Sequence, residues 1–237
     1  HSSANMSFER ELDFKIGNGF FKRLWVSAPS STRSADGLGP LFNARSCQRC
    51  HLKDGRGHPP SANWPADSAI SMFLRLSIPP QNAADRALLA SGRASVIGDP
   101  VYGTQLQNFA IQGHPAEGRM HITWTERPVT LAGGETVSLR MPAYRVTDLG
   151  YGPLHPRIML SPRVAPPMIG MGLLEAIDSR DIAALADPDD LDGDGVSGRL
   201  NQVWSAVSGR VMPGRFGWKA GNATIPDQSA GAFSGDI

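Results

Sequence analysis

Cys47-Gln48-Arg49-Cys50-His51 decides how the chain is read. Two thiols three positions apart, followed directly by an imidazole, match the C-x-x-C-H pattern of c-type haem attachment. The spacing has a chemical reason. The thiols add to the two vinyl groups on one edge of a porphyrin, and the imidazole of the next residue swings under the iron. Histidine serves well as an axial ligand once its second ring nitrogen is held by a carbonyl or similar acceptor. These are the only two cysteines, too close together for an ordinary disulfide framework. A zinc half-site would need a second cysteine pair, and a thioredoxin-type dithiol would need a surrounding βαβ pattern. His51 is therefore read as the haem-iron ligand, with Cys47 and Cys50 as the covalent anchors.

Working outward, Ser7 to Leu24 has the pattern of an amphipathic helix. Ser7 is its cap, Glu9 and Glu11 suit its positive end, and Phe8, Leu12, Ile16 and Phe20 recur at every fourth position, so these four are expected to face a core. Gly17 and Gly19 lie inside the pattern, which implies that a backbone or a flat cofactor comes close or that the helix ends there. Ser27 to Gly39 is a surface connection. Beyond the motif, Asp54-Gly55-Arg56-Gly57-His58-Pro59-Pro60 must leave helical geometry. Ile70, Met72, Leu74, Leu76 and Ile78 alternate with other residues as in a half-buried strand closed by Pro79-Pro80. Met120, Ile122 and Trp124, then Val137, Leu139 and Met141, repeat that period on either side of Ala132-Gly133-Gly134-Glu135. A β-hairpin over 120–141 follows, with Pro128 at an edge or bulge. Leu173 to Ile177 and Ser179 to Ala186 are expected as short helices, the second capped by Ser179.

Gly 26 and Pro 19 beside 41% hydrophobic residues predict a loop-rich globular protein. A formal net charge of +1 provides no strong field of either sign, which argues against a nucleic-acid groove or a membrane-surface patch. No stretch approaches the roughly 20 apolar residues of a membrane span, and His1-Ser2-Ser3-Ala4-Asn5 lacks a signal-peptide layout. Since c-type haem is attached after export, the expected location is the periplasm.

The run Asp36-Gly37-Leu38-Gly39-Pro40-Leu41-Phe42-Asn43-Ala44-Arg45-Ser46 leading into the motif, with Asp54-Gly55-Arg56-Gly57 after it, resembles the di-haem thiol oxidoreductase family. That family is related to the di-haem cytochrome c peroxidases and to the methylamine-utilisation di-haem enzyme. Three more segments carry the likeness: Arg163 to Ile177, Asp192 to Arg199 and Gly214 to Ala220. The resemblance implies a mainly α, loop-rich fold: a cytochrome-c-like haem core over 1–68 and 142–237 with a small antiparallel β insertion over 69–141. It also implies a second haem-bearing half or chain, because no third cysteine is present. The chain is expected to be the N-terminal portion of such a protein. The implied function is a periplasmic c-type haem oxidoreductase of the di-haem peroxidase type, taking electrons from a protein donor and reducing a small oxidant such as peroxide. A non-enzymatic electron-transfer cytochrome c is the alternative. A structural module that organises a partner through haem and calcium is a further rival.

Other residues join these expectations. Asp190, Asp192 and Asp194 stand at positions 1, 3 and 5 of an EF-hand-like loop with Gly195 at position 6 and the Val196 carbonyl at position 7, a spacing suited to Ca²⁺. Position 12 is Asn201 in place of the usual Glu, and Asp187 and Asp189 crowd in from upstream. Glu175, in an apolar run, is the expected distal acid-base group, its pKa raised by burial. Arg45, Arg49 and Arg163 are candidates for the haem propionates, and Trp218 for a position between two haems. His58, His114, His121, His155, Met141, Met168 and Met171 all remain open as the sixth iron ligand.

Overall fold

A computed structural model describes residues 2–68 and 70–237; His1, and Ala69 at the expected start of the β insertion, lie outside the described residues. Among the described residues, helix and strand are nearly balanced, at 23% and 25%, in six short helices and several small antiparallel sheets. The expected mainly α, cytochrome-c-like class is thereby corrected. The helical runs last one to four turns, whereas the hairpin strands extend further than their apolar residues suggest. No helix among the described residues is long and apolar enough to cross a membrane.

Helix α1 (Phe8–Lys22) begins as its sequence requires: the Ser7 side chain accepts the Arg10 backbone N–H, and Glu9 and Glu11 occupy the first turn. The expected inward stripe is wrong. Phe8, Leu12, Ile16 and Phe20 are all exposed, Phe8 at 84%, while Glu11, Phe14, Asn18 and Phe21 are the half-covered positions. At 3.6 residues per turn a strict four-residue repeat drifts around the helix, whereas 3-4-3 spacing holds one face. The helix also runs through Gly17 and Gly19, and no atom approaches the place of a Cβ at either.

The short strand β1 (Leu41–Phe42) enters the motif turn α2 (Cys47–Cys50). Strand β2 (Met72–Ser77) has the expected alternation, with Met72, Leu74 and Leu76 buried. After helix α3 (Ala83–Ala90), β3 (Phe109–Ala110) pairs antiparallel with β1. The hairpin is longer than its apolar residues suggest. Strands β4 (Arg119–Thr130) and β5 (Thr136–Thr147) pair along their whole length, and Leu131 N–H bonds the Glu135 carbonyl across the turn. Pro128 costs nothing there, since a two-stranded ladder leaves every strand an edge. Strand β6 (Met159–Val164) pairs antiparallel with β2, from Met72 opposite Val164 to Ser77 opposite Met159.

The core lies under this β2–β6 ladder. Leu74, Leu76, Tyr102 and Leu106 are buried together, and Met120, Tyr144, Val146, Leu149, Leu154, Ile158 and Leu160 pack against them. Each fully buried leucine contributes roughly 1.5–3 kcal/mol relative to exposure. The remaining elements are α4 (Met171–Ala176), α5 (Ser179–Ala184), β7 (Gln202–Ser205) paired with β8 (Arg210–Pro213), and α6 (Ile225–Asp236). Asp178, not Ser179, caps α5 by accepting the Arg180 N–H: a carboxylate at the positive end of a helix is the stronger acceptor.

Candidate functional site

The motif occupies a single helical turn, which puts Cys47 and Cys50 on one side, three residues apart. Both are free thiols. Cys50 is buried with Ala44 and Ala165 and packs against Ile70, its Sγ donating to the Ile70 carbonyl at 3.4 Å. Burial pushes both thiols up, and Cys50 reaches about 12, with Asp236 and Cys47 adding to the effect. At neutral pH these are protonated thiols. Thiols with their pKa raised this way do not suit a redox sensor, which needs a thiolate.

After Cys50 the chain turns sharply. His51 N–H bonds the Cys47 carbonyl, and Lys53 and Asp54 take positive φ in the short 3₁₀ turn Leu52–Asp54. At Gly57 a Cβ would meet the Ser71 side chain and carbonyl within 3 Å, so only glycine lets this loop lie against the start of β2 and bond the Ala165 carbonyl.

The loop after β6 closes over the histidine. The Pro166 carbonyl lies 2.7 Å from His51 Nδ1, so Nδ1 carries the proton and Nε2 keeps a lone pair. Burial lowers the His51 pKa, opposed by the Pro166 bond and by Asp236 and Asp54, and this favours the neutral imidazole that a metal requires. The Met168 N–H bonds the Asp54 carbonyl, fastening the same loop to the other side of the motif. The Phe21 ring, from the covered face of α1, has its centroid 6.2 Å from that of His51. Two protonated thiols on one side of a turn, beside an imidazole oriented through Nδ1, fit a haem held by Cys47, Cys50 and His51 Nε2.

The other expected residues divide. Trp218 Nε1 donates to the Val164 carbonyl at 2.7 Å, two residues before the proline that holds His51. Arg163 precedes Val164 in the same strand, and its Nη1 bonds the Pro162 carbonyl. Arg45 Nε donates to the Trp25 carbonyl. Glu175 is exposed, not buried as expected: α4 is one short, solvent-facing piece, and the Glu175 Oε1 accepts the Ile225 N–H at the start of α6. Met141 lies exposed on β5. His155 is tied to Asp99, whose carboxylate accepts its backbone N–H. His58 Nδ1 faces the Pro59 carbonyl.

In the acidic loop Asp187, Asp190 and Asp192 each bring a carboxylate oxygen within 4.8 Å of the others. Asp187, only noted in passing from the sequence, thus joins the group. Asp194 turns to accept the Val196 N–H.

Asp236 is the residue the sequence did not reveal. Its backbone carbonyl accepts the Asn43 and Ala44 N–H groups just before the motif, and its Oδ1 accepts from Gln105 Nε2 at 2.7 Å. Burial raises its pKa, opposed by Gln105, Arg75 and His51. No local pattern signals a contact between residues 131 positions apart.

A family model described as "Di-haem oxidoreductase, putative peroxidase" matches residues 1–237. No curated protein and no solved structure matches the chain.

Proposed function

Because the chain belongs to the di-haem oxidoreductase family, we propose that it carries one covalently attached c-type haem and works in the periplasm as the peroxide-reducing or substrate-oxidising half of a two-haem assembly. The observation that carries this reading is the His51 Nδ1 contact with the Pro166 carbonyl at 2.7 Å, next to the two protonated thiols. It fixes the tautomer and leaves Nε2 with the lone pair a metal needs. The haem supplies one-electron redox chemistry at its iron. Cys47 and Cys50 anchor it by adding their S–H groups across its vinyl double bonds, a step that needs no oxidant. His51 holds the iron and, through Pro166, is linked to the loop that also receives Trp218. Val164 and Pro166 would connect the exposed Trp218 indole to the imidazole that would hold the haem through two hydrogen bonds and a few covalent bonds.

Glu175 is the proton-handling candidate. Its Oε1 is tethered by the Ile225 N–H, and its exposure leaves the group open to a small oxidant. The second haem-bearing half or chain and a protein electron donor are the proposed partners. Ca²⁺ held by Asp187, Asp190 and Asp192 is the proposed structural ion.

The test is the ferric spectrum and peroxide reaction of the haem-loaded chain joined with its second half. A high-spin iron that reacts rapidly with peroxide, and loses turnover in Glu175→Gln without a spectral change, supports the enzyme. A low-spin iron inert to peroxide refutes it and supports a plain electron carrier.

A further inference from the structure

Two arginines stand on the face of the β2–β6 ladder opposite the core. In β2 the side chains of Met72, Leu74 and Leu76 point inward, so Phe73, Arg75 and Ser77 point outward. Phe73 pairs with Arg163, and Arg75 with Ser161. Arg75 and Arg163 are therefore diagonal neighbours on one face, a spacing of roughly 7–8 Å between backbones that long side chains bridge easily. Gln105 bridges Arg75 from the other side, so its side chain shares that face, and its amide reaches Asp236. Asp236 in turn holds Asn43 and Ala44 at the mouth of the motif. Strand register and hydrogen bonds thus connect this face of the ladder, through Gln105 and Asp236, to the segment that leads into Cys47, Cys50 and His51.

These cations are poorly neutralised. Arg75 rests over the Phe73 ring at 5.5 Å and, among the described residues, forms no ion pair with a carboxylate within 4 Å, and Arg163 spends one nitrogen on the Pro162 carbonyl. Surrounding protein lowers the Arg75 pKa, helped by Arg163 and opposed by Asp236, yet the side chain remains open to solvent. Such a guanidinium is still free to take a charged partner from solvent. Two guanidinium groups side by side suit an anionic ligand with two acceptor groups.

We propose that Arg75 and Arg163 bind the propionate carboxylates of the haem anchored at Cys47 and Cys50, and that Asp236 is the opposing charge that sets the iron's reduction potential. This rests on the covalent-haem reading above. Arg45 and Arg49, the other expected propionate partners, are exposed, and the Arg45 Nε is bound to the Trp25 carbonyl; Arg75 takes their place. A cation near the iron disfavours the ferric form, which carries one more positive charge than the ferrous, and an anion favours it.

The experiment uses the haem-loaded chain and its R75Q, R163Q, R75Q/R163Q, R75K and D236N variants. Haem content is read by absorbance of the denatured, pyridine-ligated protein and the midpoint potential by spectroelectrochemical titration. Haem content equal to wild type is expected throughout. The potential falls in R75Q and R163Q, falls further in the double variant, returns toward wild type in R75K and rises in D236N. Fully haem-loaded glutamine variants with an unchanged potential overturn the proposal, as does a fall in D236N. Should R75Q not load haem, the R75K and D236N comparison still decides the sign. A wild-type chain that takes up no haem refutes the attachment reading instead.

Discussion

Asn43→Ala is predicted to loosen the joint between the motif and the sheet. The Asn43 side chain is 1% exposed. Its Nδ2 donates to the Leu106 carbonyl at 2.8 Å and to Asn108 Oδ1 at 2.9 Å, and its Oδ1 accepts from Gln105 Nε2. These three losses are unequal. Gln105 Nε2 retains Gly235 and Asp236 as acceptors, and Asn108 is partly open to water. The Leu106 carbonyl is left in the core, which costs about 1–3 kcal/mol, and one further net hydrogen bond adds about 0.5–1.5 kcal/mol. The expected loss is about 2–4 kcal/mol in urea unfolding with an unchanged denaturant slope. A loss below about 0.5 kcal/mol, the level of an ordinary surface change, would refute the view that this amide couples the two parts.

The Asp227 carboxylate accepts from Ser205 Oγ, Thr224 Oγ1 and the Val207 N–H. Burial pushes it up, but these bonds outweigh burial and hold it below the ordinary carboxylate value. Its folded pKa lies below its unfolded one, so its stabilisation is complete above about pH 4 and is lost as pH falls through the folded value. Asp227→Asn should therefore trail wild type in thermal stability at pH 7 and close the gap below about pH 4; a gap independent of pH contradicts this. Millimolar Ca²⁺ should raise the thermal midpoint and a chelator should reverse the rise, with Asp190→Asn abolishing the response; an identical midpoint in both conditions removes the ion from the account.

The sequence was legible where a local rule carried the information. The Ser7 cap, the alternation of Met72, Leu74 and Leu76, and the hairpin around Gly134 follow from single-element periodicities, and all are present. The stripe on α1 failed because a four-residue repeat drifts around a 3.6-residue helix. The mainly α class failed because the family likeness outweighed the strand patterns in the same sequence. At the site, Cys47, Cys50 and His51 are contiguous and announce themselves. Pro166 and Asp236 reach them only through tertiary contacts across the chain, and no spacing in the sequence marks such a contact.

The intact mass of the purified chain, after expression in a host that matures c-type cytochromes, tests the central claim most directly. One porphyrin bonded through two thioethers predicts a mass above the bare polypeptide by a single haem, retained on denaturation and absent in Cys47→Ala/Cys50→Ala. A colourless product with the bare polypeptide mass would contradict it.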